Sequence, residues 1–306
     1  MTRVMVTGAS GLLGANLVLA WAGRHQVVAV THNGGFAHPG VEARQADLSQ
    51  PATARRLMDE TRPQVVVHCA AATDVDACER DPAFAHRLNC EMAGAVAQAA
   101  AASGARLLHI STDGVFPGDG GPYAEDDEAI PVNAYGRSKL AGEKVVHQEH
   151  PAALVVRTTF FGWSARGGVG LAEWFLERLR AGQRAAGFTD VFWSPLLVNH
   201  LAEILEDLMK GEVPGILHLA GATCLSKFDF GRALARVFGM PEERVVPGRV
   251  DESTLQAPRP LRTCLDGSRA RSVLGRATPD VEAGLMAMAA LERAAYPARL
   301  RKALET

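Results

Sequence analysis

Tyrosine is scarce in this chain, with three among 306 residues, and aromatic side chains make up only 6% of it. The five cysteines are an odd number, and no Cys-x-x-Cys pair occurs among Cys69, Cys78, Cys90, Cys224 and Cys264. Neither a disulfide framework nor a metal site is expected from that pattern, and reduced thiols in a cytoplasmic protein fit it. No dense Lys/Arg run appears and the formal net charge is −2, so nucleic acid and anionic membranes are not expected partners. No apolar stretch is long enough to span a bilayer; the alanine-rich run from Ala93 to Ala102 is short and contains Gln98. Repeats and low-complexity tails are also missing. Arg3 followed by a mostly apolar run to Ala22 has the outline of a leader peptide. Three glycines at three-residue spacing, with Ser10 and Asn16, suit a strand, a loop and a helix better.

What is present is a rhythm. Val4–Thr7, Val27–Val30, Ala43–Ala46, Val65–His68, Leu107–Ile110 and Leu154–Arg157 read as short strands. Helical patterns lie between them at Leu12–Trp21, Pro51–Thr61, Pro82–Ala102 and Ala134–Glu149. This alternation predicts an α/β fold, a doubly wound parallel sheet covered on both faces. Beyond residue 160 the pattern loosens into helices at Leu171–Ala181, Leu201–Lys210, Phe228–Phe238 and Val281–Ala295, with a late strand at Gly215–Ala220. Gly- and Pro-rich stretches at Gly162–Gly170 and Val246–Pro260 read as loops near a substrate. The expected division is a dinucleotide-binding domain of 1–160 and about 196–221, and a smaller substrate lobe of about 161–195 and 222–306.

The first strand runs into Thr7-Gly8-Ala9-Ser10-Gly11-Leu12-Leu13-Gly14. Gly8 permits a tight turn, Gly11 a close approach of backbone to a pyrophosphate, and Gly14 close packing of helix on sheet. Ser10, Leu12 and Leu13 complete the loop, and the helix N-terminus supplies free N–H groups and a favourable dipole. Strand two ends in Thr31-His32-Asn33-Gly34, with no acid to bind a ribose 2′-hydroxyl. A 2′-phosphate meets no repulsion there, which favours NADP(H) over NAD(H). No arginine follows the strand to clamp it, however; Arg24, before the strand, is the nearest. His32 is placed beside the ribose. Asp47 and Leu48, ending strand three, are positioned to reach the adenine; equally, Asp47 serves as a helix N-terminal acid.

Tyr135 and Lys139 lie four residues apart, hence on one helical face. A phenol titrating near 10 is a poor acid–base group at neutral pH, and a neighbouring ammonium and a cationic ring lower that value. Strand Leu107–Ile110 leads into Ser111-Thr112-Asp113-Gly114, at the carboxyl edge where ligands bind in this fold. Thr112 is the expected active hydroxyl.

Together these strings resemble the extended short-chain dehydrogenase/reductases, and most of all the dTDP-4-dehydrorhamnose reductase family. The resemblance rests on TGASGLLG, HCAAATDVDACE, HISTDGVF, PYAEDD, YGRSKLAGE, VVRTTF and RPLRTCLD, and covers essentially the whole chain. It implies a catalytic set of Thr112, Tyr135 and Lys139. It places Ala70, Ala71 and Ala72 along the cofactor, with Thr73 at the substrate and Asn89 bracing the fold. It implies hydride transfer from a nicotinamide to a 4-keto deoxysugar nucleotide, Tyr135 supplying the proton and Lys139 holding the ribose hydroxyls. Asp113, Gly114, Phe160, Trp193 and Arg259 fall on the substrate side, and a homodimer is the expected assembly. Three positions depart from the family: Gly114 and Phe160 stand where Tyr and Trp are usual, and Arg262 where Asn is usual. Alternatives are a sugar-nucleotide epimerase or dehydratase, a reductase of another carbonyl, and a non-catalytic dinucleotide-binding regulatory subunit. The dehydratase branch tends to carry Glu at the position of Gly114.

Overall fold

Short β-branched runs in the first half of the chain become β1 (Arg3–Thr7), β2 (Gln26–Thr31), β3 (Val41–Gln45), β4 (Val65–His68), β5 (Arg106–Thr112) and β6 (Leu154–Thr158). The computed structural model describes residues 1–168 and 170–304. Between the strands lie α1 (Leu12–Trp21), α2 (Pro51–Thr61), α3 (Val75–Arg80), α4 (Pro82–His86), α5 (Met92–Ser103) and α6 (Ala134–Glu149). The single helix expected over 82–102 is divided by a π-helical turn, Arg87–Glu91. That turn presents Asn89 to its neighbours, and π-turns inside helices recur at functional sites.

The second half supplies β7 (Phe160–Phe161), α7 (Leu171–Arg180), β8 (Ala185–Phe188), β9 (Phe192–Trp193), β10 (Leu196–Leu197), α8 (Val198–Leu208) and β11 (Gly215–Leu219). There follow β12 (Leu225–Ser226), α9 (Lys227–Val237), β13 (Val245–Gly248), α10 (Ser268–Leu274), α11 (Val281–Arg293) and α12 (Tyr296–Lys302). Part of the stretch expected to be loop, 246–260, is thus strand: β13 pairs with β8. Of the other expected loop, Val169 lies outside the described residues, as do Glu305 and Thr306 of the expected second lobe.

Seven strands form one parallel sheet in the order β11-β6-β5-β4-β1-β2-β3. The order reverses at β1, where β2 pairs on one side and β4 on the other. A crevice opens at the carboxyl ends of such a pair, and the glycine loop sits in it. Side chains alternate across the sheet. Val4, Val6, Leu108 and Val156 face a core shared with Leu17, Trp21 and Leu201. Met5, Val66, Leu107 and Val155 face the opposite layer, with Leu57, Met58, Val96 and Ala100.

Two features run against the sequence reading. Cys224 and Cys264 are joined as a disulfide across 40 residues, their Cα atoms 5.7 Å apart. The fold brings them within bonding reach, which the lack of a cysteine motif could not show; Cys69, Cys78 and Cys90 are the free thiols. The last helix, grouped with the second lobe from sequence, packs on α1: the buried hydroxyl of Tyr296 donates to Asn16 Oδ1 at 2.8 Å. Among the described residues no helix is long and apolar enough to cross a membrane.

Candidate active site

The phosphate loop is built on close approach. Gly8 has φ +66°, and a Cβ there would lie 2.7 Å from the backbone nitrogen of Ala70. A Cβ on Gly14 would lie 2.2 Å from the carbonyl oxygen of Gly8. The loop therefore folds tightly between α1 and the end of β4. Gly11 caps α1 without any side-chain hydrogen bond, and the first turn holds no acid. The leading N–H groups of α1 are thus available to an anion. Thr7 locks the neighbouring strand end: its Oγ1 accepts from Cys69 N at 3.2 Å and Ala70 N at 3.3 Å. It meets His68 Nδ1 at 2.7 Å, and burial pushes that imidazole down to about 3, so it stays neutral. Ala70 lies against the loop at Gly8, Ala71 follows it, and Ala72 packs with Cys78 and Ala85. Asn89 fixes Ala72 from both sides, accepting from its N–H at 2.8 Å and donating to its carbonyl at 3.0 Å. Thr73, next along, is exposed.

At the end of β2, Thr31 Oγ1 donates to the Gly34 carbonyl at 2.6 Å and shapes the following turn. His32 is exposed, its Nδ1 3.7 Å from Asp47 Oδ1. That same oxygen accepts from Ser49 N at 3.0 Å and Ser49 Oγ at 2.7 Å. These bonds hold the Asp47 carboxyl below its usual range and tie it to the turn that opens α2, while Leu48 is buried in the core. Arg24 turns away to Glu206, at 2.9 Å.

The residues expected to react, Thr112, Tyr135 and Lys139, converge beyond β5. α6 starts with Asn133 as N-cap, its side chain accepting from Gly136 N at 2.8 Å. A Cβ on Gly136 would lie 2.3 Å from the Gly114 carbonyl oxygen, so this glycine lets the first turn of α6 press on the segment after β5. Tyr135 and Thr112 thereby become neighbours: an ideal Cβ on Gly114 would lie 3.4 Å from Thr112 Oγ1 and 3.7 Å from Tyr135 Cε1. Burial pushes the Tyr135 phenol up to about 12, against the opposing effect of the Thr112 hydroxyl. The expected lowering by Lys139 is not what dominates in this environment. The result is a phenol that carries its proton at neutral pH. Lys139 is buried, and its Nζ donates to the Ile110 carbonyl at 2.7 Å. Burial pulls its pKa down to about 8, with Glu143 opposing.

Glu143, one turn beyond Lys139, is paired with Arg157 of β6 through bonds of 2.8–3.2 Å, and both are almost wholly buried. Ser111 Oγ donates to the same carboxylate. With Ser111, this pair couples α6, β5 and β6 one turn along α6 from Lys139. Sequence reading did not single it out, although a Glu four residues after Lys139 was the available signal.

Among the residues expected on the substrate side, Asp113 is held by two hydroxyls, Thr112 at 3.1 Å and Thr263 at 2.6 Å. Burial raises its pKa while those bonds and Lys227 oppose the rise. Lys227, also missed, lies with its Nζ 5.6 Å from the centre of the Trp193 ring. The Trp193 indole nitrogen is buried without a hydrogen-bond partner among the described residues. Phe160 is half-buried against the main core. Arg259 does not stand free: it pairs with Asp76 of α3 at 2.9 Å. The departing residue Arg262 stacks over Phe192, 4.2 Å from its ring centre, and its N–H donates to Gly118. Gly114 has no left-handed φ, and its absent Cβ would meet only ordinary contacts. The backbone does not require glycine there.

Comparison with known proteins agrees with this geometry. Residues 1–293 match the family described as RmlD substrate binding domain. The chain belongs to this family, within the extended short-chain dehydrogenase/reductases. It is 40% identical to a dTDP-4-dehydrorhamnose reductase of Mycolicibacterium smegmatis over 87% of this chain and 79% of that one. The dTDP-4-dehydrorhamnose reductase of Bacillus anthracis, solved in complex with NADP, superposes with a TM-score of 0.85 at 27% identity, covering 94% of this chain and 98% of that one. A relative of another kind, methionine adenosyltransferase 2 subunit beta of Bos taurus, is 29% identical over 90% of this chain and 84% of that one. The enzyme class is that of the NAD(P)-dependent oxidoreductases.

Proposed function

We propose that the protein is an NADP(H)-dependent reductase of a 4-keto deoxysugar nucleotide, acting through Thr112, Tyr135 and Lys139. The observation that carries the reading is the meeting of a protonated, half-buried phenol with the Thr112 hydroxyl at the carboxyl edge of β5, beside a glycine loop shaped for a dinucleotide. When bound, the nicotinamide supplies hydride to the ketone carbon. Thr112 holds the ketone oxygen, and Tyr135 passes its proton to that oxygen as charge develops. Lys139 orients the nicotinamide ribose from its anchor on Ile110. Glycine loop and α1 take the pyrophosphate, while Ala70–Ala72 and Leu48 flank the cofactor. The sugar nucleotide lies between Asp113 of the dinucleotide-binding domain and a second lobe of 161–195 and 222–295, against Lys227, Trp193 and the segment 259–263. Relatives that reduce dTDP-4-dehydrorhamnose support this substrate class.

The test is oxidation of NADPH, followed at 340 nm, with dTDP-4-dehydrorhamnose and other 4-keto sugar nucleotides, with Tyr135→Phe as control. Turnover that disappears in the variant is expected. The beta-subunit relative favours a second reading, a dinucleotide-binding subunit without turnover. It predicts tight NADPH binding and no oxidation with any ketosugar in either protein.

A further inference from the structure

The strand-two reading left the 2′-phosphate without a cation. The fold supplies two from elsewhere. A cavity of ≈ 420 Å³ opens beside the phosphate loop, lined by Ser10, Asn33–Gly35, Ala165, Arg166, Arg301 and Leu304. We propose that Arg166 and Arg301 form the site for the 2′-phosphate of the adenosine ribose. The proposal deepens the NADP(H) reading above and rests on it.

Position is the first argument. Ser10 belongs to the glycine loop, and Asn33–Gly35 follow β2, where the ribose hydroxyls are read in this fold. An anion between them is therefore on the ribose, one step outward from the pyrophosphate at α1. Charge is the second. Arg166 donates to Ser10 Oγ at 3.2 Å, so its guanidinium already reaches the loop. Both arginines are exposed toward solvent, and no acid is among the lining residues. Arg301 is felt by Glu173, but that carboxylate is buried in α7 outside the cavity wall. Two guanidinium forks beside a hydroxyl and a turn of open backbone match the three acceptor oxygens of a phosphate monoester.

Construction is the third argument. Asn16 of α1 is buried and holds both arginine-bearing segments. Its Nδ2 donates to the carbonyl of Trp163 at 2.9 Å, three residues before Arg166. Its Oδ1 accepts from Tyr296, five residues before Arg301. The turn after β2 is tied in as well, Ala37 N donating to the Ala303 carbonyl at 2.7 Å. The helix that would carry the pyrophosphate thus also sets where the two arginines stand.

The experiment is calorimetric titration of the full chain with NADPH, NADH, 2′,5′-ADP and 5′-ADP. The proteins are the wild type, Arg166→Ala, Arg301→Ala, the double variant and Arg166→Lys, each checked by its melting temperature. Each alanine variant is expected to weaken NADPH and 2′,5′-ADP by about tenfold or more, the loss of charge-assisted hydrogen bonds. NADH and 5′-ADP should move by less than about twofold, and Arg166→Lys should lose less than Arg166→Ala, because the charge stays and the fork goes. Should an alanine variant melt early, the lysine variant carries the comparison. Equal losses for NADH and NADPH would assign the arginines to the pyrophosphate or to the fold and overturn the proposal. So would variants that bind all four ligands as the wild type does. A wild type that binds NADH but not NADPH more tightly overturns the site and leaves a dinucleotide enzyme standing; one that binds neither overturns both readings.

Discussion

Replacing Arg157 by methionine tests what the buried pair with Glu143 does. The change keeps much of the volume and removes the charge. Glu143 would then stay buried, 2% exposed, with its bidentate partner gone. Breaking a buried pair from one side costs about 3–5 kcal/mol, because the remaining charge is uncompensated. In a chain of this size that is a fall in melting temperature of roughly 5–10 °C. Removing both charges, as Arg157→Met with Glu143→Leu, should recover most of the loss, since no unpaired ion remains. Urea unfolding of the wild type, both single variants and the double variant provides the cycle. A loss below about 1 kcal/mol for Arg157→Met would show that water reaches Glu143. A double variant as unstable as the sum of the singles would refute the coupling itself.

Tyr135→Phe should abolish turnover and leave the NADPH dissociation constant nearly unchanged, whereas Lys139→Ala should damage both; steady-state rates and titration separate them. Lys139 titrates at about 8 in the folded chain against an ordinary 10.5. The unfolded chain therefore holds the extra proton between those values, and stability should rise with pH across that window. Lys139→Met should flatten that slope in denaturant midpoints measured from pH 7.5 to 10. Reducing the Cys224–Cys264 disulfide, or Cys224→Ser, opens a loop of 40 residues and should cost about 2–4 kcal/mol; an unchanged unfolding midpoint under dithiothreitol would contradict it. Gly114→Tyr should fold normally and shift activity between dTDP-4-dehydrorhamnose and the native substrate in opposite directions, because no backbone demand holds glycine there. A uniform loss with a lower melting temperature would mean that the ring does not fit.

Local rules made much of this legible. α1, α2 and α6 begin and end where periodicity and flanking residues put them, and the phosphate loop follows from glycine spacing and strand context. What escaped was set by distance along the chain. The two-residue strands β7, β9, β10 and β12 are too short to carry a period. The cysteine pair has no motif, because its partners are joined by a fold and not by a turn. Arg259, expected on the substrate side, pairs with Asp76, 183 residues away. Lys227 and Glu143 look like ordinary surface charges until burial is known. The phenol illustrates the same limit: its neighbours in sequence suggested a lowered pKa, and its burial reversed the sign.

The bond between Asn16 and Tyr296 spans 280 residues, and synthesis proceeds in one direction. At about 5–20 residues per second, the ribosome finishes α12 on the order of 15 s to 1 min after α1 has left it. Through that interval the Asn16 amide lacks one of its native partners, and α1 has one flank uncovered. The phosphate loop can fold early, but its supporting layer is completed only by the last part of the described chain. A nascent protein stalled before α12 should therefore be open to protease at α1, and a bulky group fused close after Lys302 should disturb events at the opposite end of the sequence.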